Sequence, residues 1–298
     1  MSSVHHFKVA DHHVCIEFKQ EEINHIELIS SFAPFVTTDI DEPCLFHFVV
    51  DDTLKPVVKA ERERIRVFDT GNGETVVDLL KDGGYQYIVR DLKGHDCSLL
   101  ITNKEFTECR CALNGDHSMR TFGLNNALML AYAFAGSRKA TLLIHASLVR
   151  KDGWGYPFIA ESGTGKSTHV GLWLKHILGC DMMNDDNPIV RIIDGQPYIY
   201  GGPWSGKTPC YRNVKAPLGA VTRIDRAKQN SIDRIAPVEA FISVLQSCSS
   251  MKWDQEIYDN ICNTVTKIVE TTPVYTLHCL PDEEAAQLCY TTIARTGK

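Results

Sequence analysis

The chain has 298 residues, 44% of them hydrophobic and 23% charged, which is ordinary globular usage and excludes disordered, collagen-like and coiled-coil classes. Its formal net charge of −6 argues against a nucleic-acid partner, because phosphate backbones reward a basic surface. The longest apolar-leaning stretch, Leu124 to Ala135, is broken by Asn125 and Asn126 and is too short to span a bilayer.

Met1 to Ala10 is polar, so no secretory signal is expected and the protein reads as cytoplasmic, with no membrane partner. The 11 cysteines include no CxxC pair and read as small buried hydrophobes of a reducing compartment. Cys109 and Cys111 would share one face of a strand. His5, His6, His12, His13 and Cys15 resemble a ligand set, but no glycine or second cysteine shapes a site around them. They read as a solvated N-terminal stretch.

Residues 1–120 predict a β-rich domain. Leu45 to Val50, Ile65 to Phe68, Thr75 to Leu80, Tyr85 to Val89 and Ser98 to Thr102 read as strands. Gly-rich turns at Thr70–Gly73, Asp82–Gly84 and Lys93–Gly94 separate them, which predicts an antiparallel sheet or sandwich. Gly123 to Ala135 is apolar nearly all round and predicts a buried helix, so residues 121–139 are assigned as the connection to a second domain, 140–298.

The second domain alternates in the α/β manner. Thr141 to Val149 reads as one apolar strand and Tyr156 to Ala160 as the next, followed by a helix from about Lys166 to Leu178. Asp181 to Met183 is a short strand running into Asn184-Asp185-Asp186. Asp194-Gly195 turns a hairpin between Ile189–Ile193 and Gln196–Tyr200. Leu218 to Ile224 is a core strand, and Pro237 starts a helix running to about Ser247. A helix over about Asp254–Thr271, a strand Val274–Cys279 and a helix opened by Pro281 complete the chain.

Ala160-Glu161-Ser162-Gly163-Thr164-Gly165-Lys166-Ser167 matches the Walker A pattern except at its first position, which is Ala. Gly163 and Gly165 let the backbone curl so that successive N–H groups face phosphate oxygens, and the following helix adds its positive end. Ser162, Gly163, Thr164, Gly165, Lys166, Ser167 and Thr168 are therefore the candidate nucleotide-binding residues. Lys166 would reach the β- and γ-phosphates, and Ser167 would ligate magnesium. Asp185 and Asp186 follow about twenty residues later at a strand end, where such a loop needs a carboxylate for the metal. One would bind Mg2+ with Ser167, and the other would take a proton from an attacking hydroxyl. Adjacent strand residues point to opposite faces, so both reach the site only if the strand has turned.

Ile144 to Val149, Ala160 to Ser167 and Asn184-Asp185-Asp186, in that order, resemble the catalytic domain of HPr kinase/phosphorylase. They are also similar to the nucleotide core of phosphoenolpyruvate carboxykinase. The resemblance covers roughly residues 140–225. It implies an α/β P-loop domain of the HPr kinase/phosphoenolpyruvate carboxykinase type, carrying an N-terminal β-rich domain. It also implies His145 near the phosphates and the homo-oligomeric state of that family. The segment Gly201 to Lys207 resembles a feature of HPr-kinase-like proteins and would fold over substrate phosphate, which makes Lys207 a catalytic candidate. Arg212 and Lys215 follow as candidates for neutralising charge. Thr168 stands where HPr kinases usually carry Glu, and their glycine-rich downstream signature is absent. The expected activity is transfer of phosphate from ATP, with Mg2+, to a hydroxyl of a protein serine or a small metabolite. The alternatives are a carboxykinase acting on a keto acid, a nucleotide-binding regulatory module and a triphosphate hydrolase.

Overall fold

Turn chemistry divides the first 115 residues into short strands, and a computed structural model, which describes residues 2–295, shows how they pair. β1 (Ser2–Val9) and β2 (His12–Lys19) form an antiparallel hairpin. A 3-10 segment, Ile26–Phe35, then carries the chain to β3 (Phe46–Val50), which returns parallel to β2. The meander β4 (Arg62–Asp69), β5 (Glu74–Leu80), β6 (Tyr85–Arg90), β7 (Asp96–Thr102) and β8 (Glu108–Leu113) closes back on β3, again in parallel. The result is one eight-stranded sheet ordered β1-β2-β3-β8-β7-β6-β5-β4.

Two expectations change here. The sheet is mixed, because the 3-10 segment is a crossover and not a hairpin turn. The histidine-rich start is not a solvated tail: it forms β1 and β2, and His12, His13 and Cys15 are at most 7% exposed. His13 Nδ1–H donates to the Glu42 carbonyl and its Nε2 is bonded to His6 Nδ1, each at 2.9 Å. A period-2 strand pattern is invisible when both faces carry histidine.

The following helix, α1 (His117–Ser137), starts six residues before the apolar run. Asp116 accounts for the early start, since its side chain accepts from the Met119 N–H at 3.0 Å as a helix cap does. By its contacts the chain divides into two compact units, Met1–Gly136 and Ser137–Lys298. Among the described residues no helix is long and apolar enough to cross a membrane.

The second unit is mixed α/β with two sheets. The apolar run expected as one strand is two, β9 (Thr141–Leu143) and β10 (Ala146–Lys151), in different sheets, with His145 near the break. β11 (Trp154–Ile159), α2 (Lys166–His176), β12 (Asp181–Asp186) and the hairpin β13 (Ile189–Ile193)–β14 (Gln196–Tyr200) follow. Then come β15 (Lys215–Pro217), β16 (Val221–Arg226), β17 (Ser231–Arg234), α3 (Pro237–Ser247), α4 (Gln255–Thr271), β18 (Val274–Cys279) and α5 (Glu283–Ile293). Pro281 lies before α5, which Asp282 caps through the Ala285 N–H.

The larger sheet runs β12-β10-β11-β16-β18-β17, and the smaller runs β15-β14-β13-β9. β11, β16 and β18 are mutually parallel neighbours. Their carboxyl ends therefore share one edge, the usual place for ligands in an α/β sheet. α2 and α5 pack on this sheet through Tyr156, Phe158, Val170, Trp173, Leu277, Ala285 and Cys289, all at most 1% exposed. Large side chains buried this fully contribute about 1.5–3 kcal/mol each, so the carboxyl edge is held rigidly.

Candidate functional site

Three stretches of chain meet at that edge: the break before β10, the loop between β11 and α2, and the end of β12. The loop from Ala160 to Gly165 is shaped by Gly163 and Gly165, whose φ values of 78° and 127° strain any residue with a Cβ. α2 begins at Lys166, with Gly165 in the N-cap position. Ser162, Gly163, Ser167 and Thr168 are exposed, while Lys166 is buried.

The Lys166 ammonium donates to the Ala160 carbonyl at 3.0 Å and the Glu161 carbonyl at 3.4 Å, and it meets His145 Nε2 at 2.8 Å. Burial pulls its pKa below the ordinary lysine value, against the opposing pull of Asp186 and Asp185. On the other side of the His145 ring, Nδ1 lies 3.0 Å from Asp186 Oδ1. Lys166, His145 and Asp186 thus form one chain of polar contacts. An ammonium can only donate, so Nε2 accepts from Lys166 and Nδ1–H donates to the carboxylate.

Cross-strand register builds the second half of the site. Ser147 on β10 lies directly opposite Asp185 on β12, and Ala146 opposite Asp186. Ser147 Oγ donates to Asp185 Oδ1 at 2.6 Å, and Ser167 Oγ donates to the same oxygen at 3.0 Å. Asp185 is 3% exposed, so the bond from Ser147 is sheltered from water, while Ser167 approaches from the exposed side. The two aspartates are successive strand residues, yet both join the cluster. Asp186 has φ 108°, a conformation that non-glycine residues avoid and that breaks the two-residue alternation. Such strain costs on the order of 1–3 kcal/mol and persists only when its surroundings hold it. Here Asn187 Nδ2 donates to Asp186 Oδ2 at 2.7 Å, and the Asp185 carbonyl accepts from Ser205 Oγ and the Gly206 N–H.

The remaining candidates fall elsewhere. Lys207 is exposed in the same loop as Ser205, and the contacts tying the cluster together do not involve it. Arg212 donates to Asp181, which also binds Arg150, so its charge is already paired. The Lys215 ammonium lies 5.9 Å from the Tyr198 and Tyr200 ring centres. Among the described residues no group of three or more His, Cys, Asp or Glu side chains is arranged to hold a metal unaided.

Sequence reasoning passed over two residues. Ser147 lies inside an apolar strand and carries no motif of its own, and only its two-residue spacing from His145 marks it. Arg226, at the end of β16, donates from Nε to the Thr164 carbonyl at 2.9 Å and from Nη2 to the Gly163 carbonyl. It grips the outside of the loop from sixty residues away, and no local pattern announces it.

Two larger cavities flank the loop, beside a smaller one of about 310 Å³ over Ser162, Gly163 and Thr164. One, of about 460 Å³, has a lining about equally polar and apolar and takes in His145, Glu161, Thr164, Arg223, Ile224 and Asp225. The other, of about 480 Å³, is mainly apolar and takes in Gly165, Thr168, Leu172, Ile224, Arg226 and Leu280.

No family model matches the chain, and no curated protein matches it. Among solved structures it is weakly similar to the Hpr(Ser) kinase/phosphatase from Coxiella burnetii, with a TM-score of 0.28 and 10% identity over 50% of this chain and 91% of that one. A likeness this faint carries no argument about the site.

Proposed function

We propose that the second unit is a P-loop phosphotransferase that moves the terminal phosphoryl group of ATP to a hydroxyl acceptor. One observation carries this reading: Lys166, Ser167, Asp185, Asp186 and His145 come from three separate stretches of chain and converge at one end of β10, β12 and α2. A structural turn rich in glycine and aspartate does not need a buried lysine aimed back along its own loop.

Residues 162–168 would bind the triphosphate through backbone N–H groups and the Lys166 ammonium. The donor set at Ser167 and Asp185 is all oxygen, which suits Mg2+, with phosphate and water oxygens filling the remaining positions. Bound there, the ion would neutralise charge on the phosphates. The two aspartates then divide their work. Asp185 is buried and already accepts from two hydroxyls, which fits it to the metal side. Asp186 is 36% exposed in its side chain and bonded to His145, which fits it to orient the acceptor hydroxyl and take its proton. His145, bonded on its other nitrogen to Lys166, holds that carboxylate in place. The cavity beside His145 and Glu161 would admit the acceptor, a hydroxyl of a protein serine or of a small molecule. Most of the rate gain would come from positioning and charge stabilisation.

The test is incubation with ATP, magnesium and a panel of hydroxyl compounds, seryl peptides and keto acids, followed by phosphorus NMR. A phosphate ester supports the proposal. An enol phosphate formed with loss of carbon dioxide would replace it with a carboxykinase, and free phosphate alone with a hydrolase.

A further inference from the structure

The loop has a direction, and the cavities on its two sides differ in a way that matches it. In a Walker-type loop the lysine reaches the β- and γ-phosphates, while the backbone N–H groups cradle the α- and β-phosphates. Lys166, His145 and Asp186 therefore mark the γ end, and the cavity of mixed lining opens beside His145. The apolar cavity shares Gly165 and Thr168 with the loop and does not include His145. It meets the first cavity at Thr164 and Ile224 and extends from there along α2, past Thr168 to Leu172, away from His145.

We infer that this second cavity, at the carboxyl ends of β16 and β18, is the seat of the aromatic base of the nucleotide; the inference rests on reading residues 160–168 as a phosphate loop. Five features support it. Leu172 from α2, Ile224 and Ala227 from β16 and beyond, and Leu280 and Pro281 after β18 give apolar walls from three elements. Leu280 is 39% exposed, an apolar surface beside the loop that a flat ring would cover. Arg226 lines the same cavity with its guanidinium held by two loop carbonyls, so a charged planar group is fixed where a base can stack on it. The floor adds no charge: His169 is 3% exposed, its Nε2 accepts from Trp173 Nε1 at 3.0 Å, and burial pushes its pKa down to about 4. A volume of about 480 Å³ is in the range of small-ligand sites.

The inference gives Arg226 two roles, gripping the loop and facing the base. It also separates the ligand into a phosphate part and a base part that can be tested independently. The experiment is calorimetric titration of the full chain with magnesium and either a non-hydrolysable ATP analogue or inorganic tripolyphosphate. Three proteins are compared: the parent, Leu280→Asn, which makes the exposed wall polar without adding charge, and Ala227→Phe, which fills the cavity. The parent should bind the nucleotide at least about tenfold more tightly than tripolyphosphate, and both variants should reduce that ratio to about threefold or less. Tripolyphosphate affinity should be unchanged in all three. Variants that keep the parent's preference for nucleotide overturn the base site while leaving the phosphate loop standing. A parent that prefers neither ligand also overturns it. A parent that binds neither overturns the loop reading, and the base site with it.

Discussion

Replacing Lys166 with Met keeps the length of the side chain and deletes its charge. In the free protein the ammonium is 8% exposed, and burial lowers its pKa, so the folded state already bears a desolvation cost. The contacts that offset it are two loop carbonyls and His145 Nε2. His145 is 40% exposed in its side chain, so water can replace the lost donor. Lys166→Met should therefore change unfolding free energy by no more than about 1 kcal/mol in either direction. Binding should respond very differently. Two charge-assisted hydrogen bonds to phosphate, at about 1.5–3 kcal/mol each, translate into a loss of about two to four powers of ten in nucleotide affinity. Calorimetric titration with Mg-ATP measures the second quantity and urea unfolding the first. Affinity within about threefold of the parent, in a variant of unchanged stability, would refute the reasoning.

Asp185→Asn should lose about tenfold or more of its magnesium-dependent nucleotide affinity, whereas Asp186→Asn should bind nucleotide normally and lose about a hundredfold in turnover; full activity in both, measured by coupled assay, reduces the pair to a turn. His169 has a native pKa near 4 against an ordinary 6.5, so the unfolded chain takes up a proton that the folded chain refuses. Its contribution is fully present above pH 6.5 and is lost as pH falls toward 4, by about 3 kcal/mol in all. His169→Gln should flatten that part of the pH dependence in urea unfolding, and an unchanged slope would contradict the assignment. A fragment of residues 137–298 should fold and keep nucleotide affinity, since its sheets and helices form a compact unit by themselves; calorimetry on the folded fragment checks this.

Much of the second unit could be read from residues because its signals are local. Asp194-Gly195 fixed the hairpin between Ile189–Ile193 and Gln196–Tyr200 to the residue, and both turn residues have positive φ. The glycines of the loop, the proline opening α3 and the strand Val274–Cys279 were equally plain. What escaped was set by long-range pairing. A continuous apolar run carries no register, so Thr141–Val149 gave no sign that it serves two sheets. The parallel pairings of β3 depend on a crossover whose residues show no strand or helix period. At the site, Lys166 and the paired aspartates were visible as a motif, but the turn at Asp186 that brings both carboxylates to one place is a backbone strain with no sequence signature. Arg226 and the walls of the two cavities come from β16, β18 and α3, brought to the loop by the sheet order alone.

The most direct test of the central claim is a crystal structure of the chain with magnesium and a non-hydrolysable ATP analogue. Phosphate oxygens should lie within hydrogen-bond distance of the backbone N–H groups of residues 163–167 and of Lys166 Nζ, with the metal on Ser167 and the Asp185 side. A triphosphate bound away from this loop, or a loop left empty at saturating analogue, would contradict it.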